Sequence, residues 1–226
     1  MKVEALLFNL NGVLVDVSQS TRYAIKKTAE FFTGDEIQNV EIQQVKNRGG
    51  YNNDLDCTHA IISDHGKDAY HWEIVDKFEE FYLGKNFDGF IRNETILIKP
   101  EVLSSLFHRF KLGIVTERPK SEVDFVLSRF EAENYFDVLV AQEDTPPGRG
   151  KPEPDGILLA MQKLGVKTAA YLGNTIDDMR AATAAKIVPV GILPFGETEK
   201  NQADLLRAAG AKFILNDVNE AMTLFD

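Results

Sequence analysis

The sequence predicts an α/β protein: a parallel β-sheet with helices on both faces, interrupted near its start by a helical insertion. Three observations carry this. An apolar run, Val3 and Ala5 to Phe8, halts at polar Asn9 and turns through Gly12, the pattern of a buried strand presenting side chains at its carboxyl end. From Pro100 onward, strand-like and helix-like segments alternate, which implies right-handed crossovers and parallel strands. Between them, from about Ser18 to Gly84, the spacing is helical throughout.

Each element has its own signal. In the helical block Tyr23, Ile25, Ala29 and Phe32, then Ile37, Val40, Ile42 and Val45, then Ile74, Phe78, Phe81 and Tyr82 recur at helix-like intervals with charged residues between. These positions are expected in a core. Beyond it, strands are predicted over 111–115, 136–141, 169–172, 187–193 and 212–215. Helices are predicted over 121–130, 154–164, 177–185 and near 201–209, with a last one from Val218. The insertion should join near Asp16 and within 86–93, where Gly, Asn and Asp collect. Residues 1–16 and 92–226 then form a Rossmann-like α/β core domain, and 17–91 an α-helical cap domain.

Composition narrows the function. The 226 residues are 44% hydrophobic and 27% charged, an ordinary balance for a soluble globular protein with one good-sized core and a smaller second module. A formal charge of −10 with no basic run argues against a nucleic-acid partner, which is held mainly through Lys and Arg clusters. The single cysteine, Cys57, cannot form an internal disulfide, as befits a reducing cytoplasmic location. Neither a signal peptide nor a membrane span is expected. The four histidines (His59, His65, His71, His108) form no ligand spacing.

Four short segments, each just after a predicted strand, should converge on one edge of the sheet. The first holds Asn9 and Asn11. The second is Thr116, followed by Glu117-Arg118-Pro119; its hydroxyl and the N–H groups of the turn can donate to a phosphate oxygen, although a Thr there also serves as a helix cap. Arg118 is assigned with it to substrate binding. The third is Lys151, in a Pro/Gly-rich loop before a helix start, suited to neutralising a phosphoryl group. In the fourth, Gly173-Asn174-Thr175-Ile176-Asp177-Asp178, a polar residue after a strand and an acid four positions on can bring two oxygens to one hard cation. In the helical block, Arg48 in Lys46-Asn47-Arg48-Gly49-Gly50 could grip a second anionic group bidentately, or simply face solvent in an interhelical turn.

The order and spacing of the four segments resemble the four motifs of the haloacid dehalogenase (HAD) superfamily over essentially the whole chain. The helical block resembles the C1-type cap of its phosphoglycolate-phosphatase-like members. The resemblance implies a phosphomonoester hydrolase acting on a small phosphorylated metabolite through an aspartyl-phosphate. Position by position, Asn9 stands at the nucleophile and Asn11 at the general acid/base, with Thr116 and Lys151 at the phosphate. It also implies Mg²⁺, held by the side chain at position 9, the backbone carbonyl at position 11, Asn174 and Asp178, with Asp177 an adjacent candidate.

The departures matter as much. The family pattern expects Asp at positions 9, 11 and 174, and all three are Asn here. Three isosteric changes at three carboxylates read as selected, by evolution or by deliberate substitution, rather than as drift. A neutral amide is a poor nucleophile and cannot shuttle a proton at neutral pH, and a cation bound mainly by carboxylates should bind weakly or not at all. The expectation is a phosphatase scaffold with its chemistry disabled, or a non-hydrolytic pseudo-phosphatase that binds a phosphorylated ligand or a protein partner. A phosphomutase would still need the nucleophile. On oligomeric state the sequence is silent.

Overall fold

A computed structural model describes residues 2–193 and 201–225. It contains eight strands: β1 (Ala5–Phe8), β2 (Val15–Asp16), β3 (Thr95–Ile96), β4 (Lys111–Val115), β5 (Val138–Val140), β6 (Ala169–Gly173), β7 (Val188–Ile192) and β8 (Phe213–Leu215). Its α-helices are α1 (Thr21–Thr33), α2 (Asn39–Asn47), α3 (Asp54–Asp64), α4 (His71–Tyr82), α5 (Pro100–Phe107), α6 (Lys120–Arg129), α7 (Asp155–Leu164), α8 (Ile176–Ala184), α9 (Gln202–Ala208) and α10 (Ala221–Leu224). Six strands form one parallel sheet in the order β5-β4-β1-β6-β7-β8.

The chain divides into two compact units, residues 1–15 with 96–226, and residues 16–95. In the first, β1 is central, paired with β4 on one side and β6 on the other. Its four residues are all buried, which explains why they read as an unbroken apolar run rather than an alternation. Ala5 and Leu7 of β1 and Tyr171 of β6 share one core cluster with Ile157 of α7 and Ala181 of α8. From β1 the chain builds outward through β4 and β5, then returns to build the other way through β6, β7 and β8. Strand order therefore reverses at β1, and the carboxyl ends of β1, β4 and β6 lie side by side, where open sheets of this type bind ligands.

The second unit is helical. Ile25 and Ala29 of α1, Ile42 and Val45 of α2, Ile61 and Ile62 of α3, and Ile74 and Phe78 of α4 are buried. Two details differ from the sequence reading. Val40 is half exposed, because two residues along a helix is about 200° of rotation and Ile42 takes the inner face. Helix α3 carried no separate apolar signal, since Cys57 and Thr58 fill part of its buried face. The chain leaves the helical unit at residues 95–96, beyond the polar stretch at 86–93. Within that stretch Ile91 is buried and the Phe90 ring stacks on Phe81 at 6.0 Å. No helix among the described residues is long and apolar enough to cross a membrane.

Candidate functional site

Five of the residues singled out in the sequence gather at the ends of the three adjacent strands. Asn9 follows β1, and its N–H bonds Leu172 O of β6 at 2.9 Å. Thr116 follows β4, its N–H donating to Val140 O at 3.0 Å, and its Oγ1 accepts from the N–H of Arg118 at 3.2 Å. Asn174 follows β6, and Asp178 lies in the first turn of α8. Lys151 comes from the loop before α7, its N–H anchored on Glu117 Oε1 at 2.6 Å. Asn9, Thr116, Arg118, Lys151, Asn174 and Asp178 are all buried.

The side chains of Asn9, Lys151, Asn174 and Asp178 form one hydrogen-bonded network. Asn9 Oδ1 accepts from Leu10 N (2.9 Å) and from Lys151 Nζ (3.3 Å). Asn9 Nδ2 donates to Asn11 O (3.2 Å) and to Asn174 Oδ1 (3.1 Å). An amide has two donors and two acceptor sites, so Asn9 is filled to capacity. The Lys151 ammonium spends its three protons on Asn9 Oδ1, Tyr171 OH at 3.1 Å and Asp178 Oδ1 at 2.7 Å. Asp178 Oδ2 accepts from the N–H groups of Asn174 (2.9 Å) and Thr175 (3.0 Å). Thr175 Oγ1 answers by accepting from Asp178 N, completing a capping box at the start of α8.

The local backbone is shaped to permit this. Gly12 has φ +72°, and a Cβ there would lie 2.3 Å from Asn174 Nδ2, so only glycine lets the first turn approach the fourth segment so closely. At Gly173 a Cβ would lie 2.6 Å from the Asp178 carboxyl carbon. Burial works against the Lys151 charge and is the largest single influence on it. The carboxylate of Asp178, together with Tyr171 and Glu117 nearby, more than offsets it, so Lys151 sits above the ordinary lysine range. Burial and the charge of Asp178 both raise the Tyr171 phenol. The site therefore holds one buried, paired cation and one buried, paired carboxylate.

Some assignments stand differently in space than in sequence. Asn11 contributes its backbone carbonyl to Asn9, while its own buried Oδ1 has no hydrogen-bond partner among the described residues. Asp177 is buried on α8, 3.8 Å from Arg180. In the helical unit Arg48 is exposed and engages the Asp64 carboxylate through two nitrogens. Tyr171 and Glu117 were not singled out in the sequence. The one available signal was a tyrosine inside an otherwise apolar strand, because a buried hydroxyl needs a partner; its proton is shared between Val115 O at 3.0 Å and Asp178 Oδ1 at 3.2 Å.

These residues do not suit the Mg²⁺ that the resemblance implies. A hard dication seeks six or so oxygens, carboxylates foremost. Of the four implied ligands only Asp178 is a carboxylate, and both of its oxygens are committed to Lys151, Tyr171 and two N–H groups. Among the described residues no group of three His, Cys, Asp or Glu side chains converges to hold a metal.

Comparison with known proteins gives a consistent family. The model of the haloacid dehalogenase-like hydrolases matches residues 6–192. An imidazoleglycerol-phosphate dehydratase from Phytophthora nicotianae is 35% identical over 98% of this chain, which spans only 50% of that longer protein. A protein of Caldanaerobacter subterraneus subsp. tengcongensis, provisionally named a pyrophosphatase, is 31% identical over 90% of each chain. The phosphoglycolate phosphatase of Escherichia coli K12 is 28% identical over 65% of this chain and 57% of its own. Among solved structures, a haloacid dehalogenase-like protein from Agrobacterium tumefaciens superposes with TM-score 0.78 at 16% identity, covering 99% of this chain and 97% of its own. A haloacid dehalogenase-like hydrolase from Streptococcus pneumoniae gives 0.74 at 22% identity, covering 99% of both chains.

Proposed function

Because the chain belongs to the haloacid dehalogenase-like hydrolase family, we propose that it is a phosphatase scaffold that binds a small phosphorylated metabolite and does not hydrolyse it. The observation that carries this is Asn9. The residue at the nucleophile position is a neutral amide whose four hydrogen-bonding sites are all taken inside the protein. Relatives named as phosphatases support the substrate class, as does a longer relative named for a phosphorylated imidazole glycerol.

In a chain with aspartate at position 9, a carboxylate oxygen would attack phosphorus, forming an O–P bond as the ester P–O bond breaks. Aspartate at position 11 would protonate the departing alkoxide, and then take a proton from the water that releases phosphate. Neither step is open to Asn9 and Asn11.

Ligand binding is better served. The Thr116 hydroxyl proton faces no acceptor among the described residues, and the buried Asn11 Oδ1 lacks a donor. An unsatisfied buried acceptor costs about 1–3 kcal/mol, which a ligand hydroxyl or a protonated phosphate oxygen would recover. Lys151 supplies charge to the edge, but its protons are spent, so Thr116 is the better probe of binding.

The test compares this chain with the variant carrying Asn9→Asp, Asn11→Asp and Asn174→Asp, using p-nitrophenyl phosphate and phosphoglycolate with added Mg²⁺. Turnover by the parent should be lower by roughly 10⁴-fold or more. Calorimetry with phosphoglycolate should show binding to the parent that Thr116→Val weakens. Equal turnover by the two chains, or no binding by the parent, would end this reading.

A further inference from the structure

The two oxygens that Asn9 Nδ2 contacts, Asn11 O at 3.2 Å and Asn174 Oδ1 at 3.1 Å, are the partners that a cation would share with the side chain at position 9. We propose that the Asn9 carboxamide takes the place of that cation, so that this edge of the sheet is organised without metal. The proposal rests on reading the edge as a disabled phosphatase site, and extends that reading from lost chemistry to a replaced structural element.

The orientation of the amide follows from its neighbours. Leu10 N and the Lys151 ammonium are obligate donors, so the atom facing them is the oxygen, and the NH₂ group necessarily faces the two acceptors. Asn174 is oriented in the same sense: its Oδ1 accepts from Asn9, and its Nδ2 is the atom nearest Gly12. A cation entering here would have to displace both Asn9 protons, and would meet neutral oxygens apart from Asp178, whose charge is already paired with Lys151.

Charge agrees with geometry. The Lys151–Asp178 pair sums to zero. Aspartates at positions 9 and 174 would place two negative charges where two amides now share a 3.1 Å hydrogen bond, and like charges at that separation in a buried site need a counter-ion. The amides remove the two negative charges and the need for two positive ones together. The net charge of the edge is that of a metal-loaded form with aspartate at positions 9 and 174, and the contact between those two side chains becomes attractive rather than repulsive.

The experiment is thermal unfolding of the full chain in EDTA and in Mg²⁺, with calorimetric titration of Mg²⁺ alone, beside the Asn9→Asp/Asn174→Asp double variant. The parent should melt at one temperature in both buffers and give no binding heat. The double variant should melt below the parent in EDTA and rise by about 3 °C or more when Mg²⁺ reaches roughly ten times its Kd. A saturable Mg²⁺-dependent rise in the parent, reversed by EDTA, would overturn the proposal. So would a double variant as stable as the parent in EDTA. If the double variant does not fold, Asn174→Asp alone serves, and the parent's own titration still decides. Turnover plays no part in these readings: a parent that is inactive yet stabilised by Mg²⁺ would sink this proposal and leave the proposed function standing.

Discussion

Lys151 reads in sequence as a loop lysine waiting for an anion, and in space it is the centre of a saturated network. Its ammonium is buried against Asp178 at 2.7 Å with Tyr171 and Asn9 completing its shell. Truncating it leaves a buried carboxylate without its cation, so Lys151→Ala should destabilise the chain by about 3–5 kcal/mol. Removing both charges, as in Lys151→Met with Asp178→Asn, should recover much of that loss, because the pair's own desolvation cost disappears with it. Urea unfolding of the two variants checks this; equal stability of Lys151→Ala and parent would mean that Asp178 is satisfied by other means. The same residue scale governs Asn11. Asn-Gly is prone to close to a succinimide where the backbone is free, but here the Gly12 N–H is held by Val15 O at 2.8 Å, and glycine's flexibility is not available to the ring closure. Mass spectrometry on aged protein should find deamidation at Asn11 slower in the folded chain than in urea, and phosphatase activity should not rise with it.

At the scale of elements, the edge of the sheet is legible in the sequence because parallel strands advertise their ends. β1 and the stretch Leu112 to Val115 of β4 are runs without polar side chains closed by a polar residue, as is the largely apolar stretch Ala169 to Leu172 of β6, extended by Gly173 before Asn174. That pattern alone places Asn9, Thr116 and Asn174 at strand ends. What the ends do to one another is not legible. Asp178 lies four residues from Asn174, a spacing that fits a shared cation, and three from Thr175, the spacing of a capping box. Only the position of Lys151, 27 residues away, separates the two readings. Arg48 and Asp64 are 16 residues apart on different elements, a pairing that helical periodicity cannot foresee. The helical unit carries its own such tie. His65, closing α3, lies between Asp35 before α2 (Nδ1 to Oδ2, 2.9 Å) and Glu41 on α2 (Nε2 to Oε2, 3.0 Å). Asp64, already paired with Arg48, also faces its charge. The hydrogen bonds to Asp35 and Glu41 raise the imidazole above its ordinary value of 6.5. Below that value the imidazolium is present folded and unfolded, and its contribution to stability is complete; as pH rises through the higher folded value the contribution is lost. The melting temperature should therefore fall with rising pH on the alkaline side of 6.5, by more in the parent than in His65→Gln. Parallel pH profiles for the two chains would remove His65 from the account.

The whole molecule is two chain-separated units, and the network at the sheet edge belongs to one of them. Asn9, Thr116, Lys151, Tyr171, Asn174 and Asp178 all lie in residues 1–15 and 96–226. So does the core around β1, with Leu7, Tyr171, Ile157 and Ala181 in a single cluster. The chain leaves this unit after Val15 and re-enters at Ile96, and the two ends are tied within it by a bond from Leu97 N to Leu14 O at 2.8 Å. An excised unit whose ends are this close can be closed by a few residues, and the entropy of closure changes only slowly with linker length. Replacing residues 16–95 by a short Gly/Ser linker should therefore leave a protein with an α/β circular dichroism spectrum and a single cooperative unfolding transition. Its stability should still respond to Lys151→Ala, since every partner of that ammonium is retained. A broad, non-cooperative melt, or a cooperative one that Lys151→Ala leaves unmoved, would show that the parallel-sheet unit draws its order from the helical insertion and not from the core and network described for it.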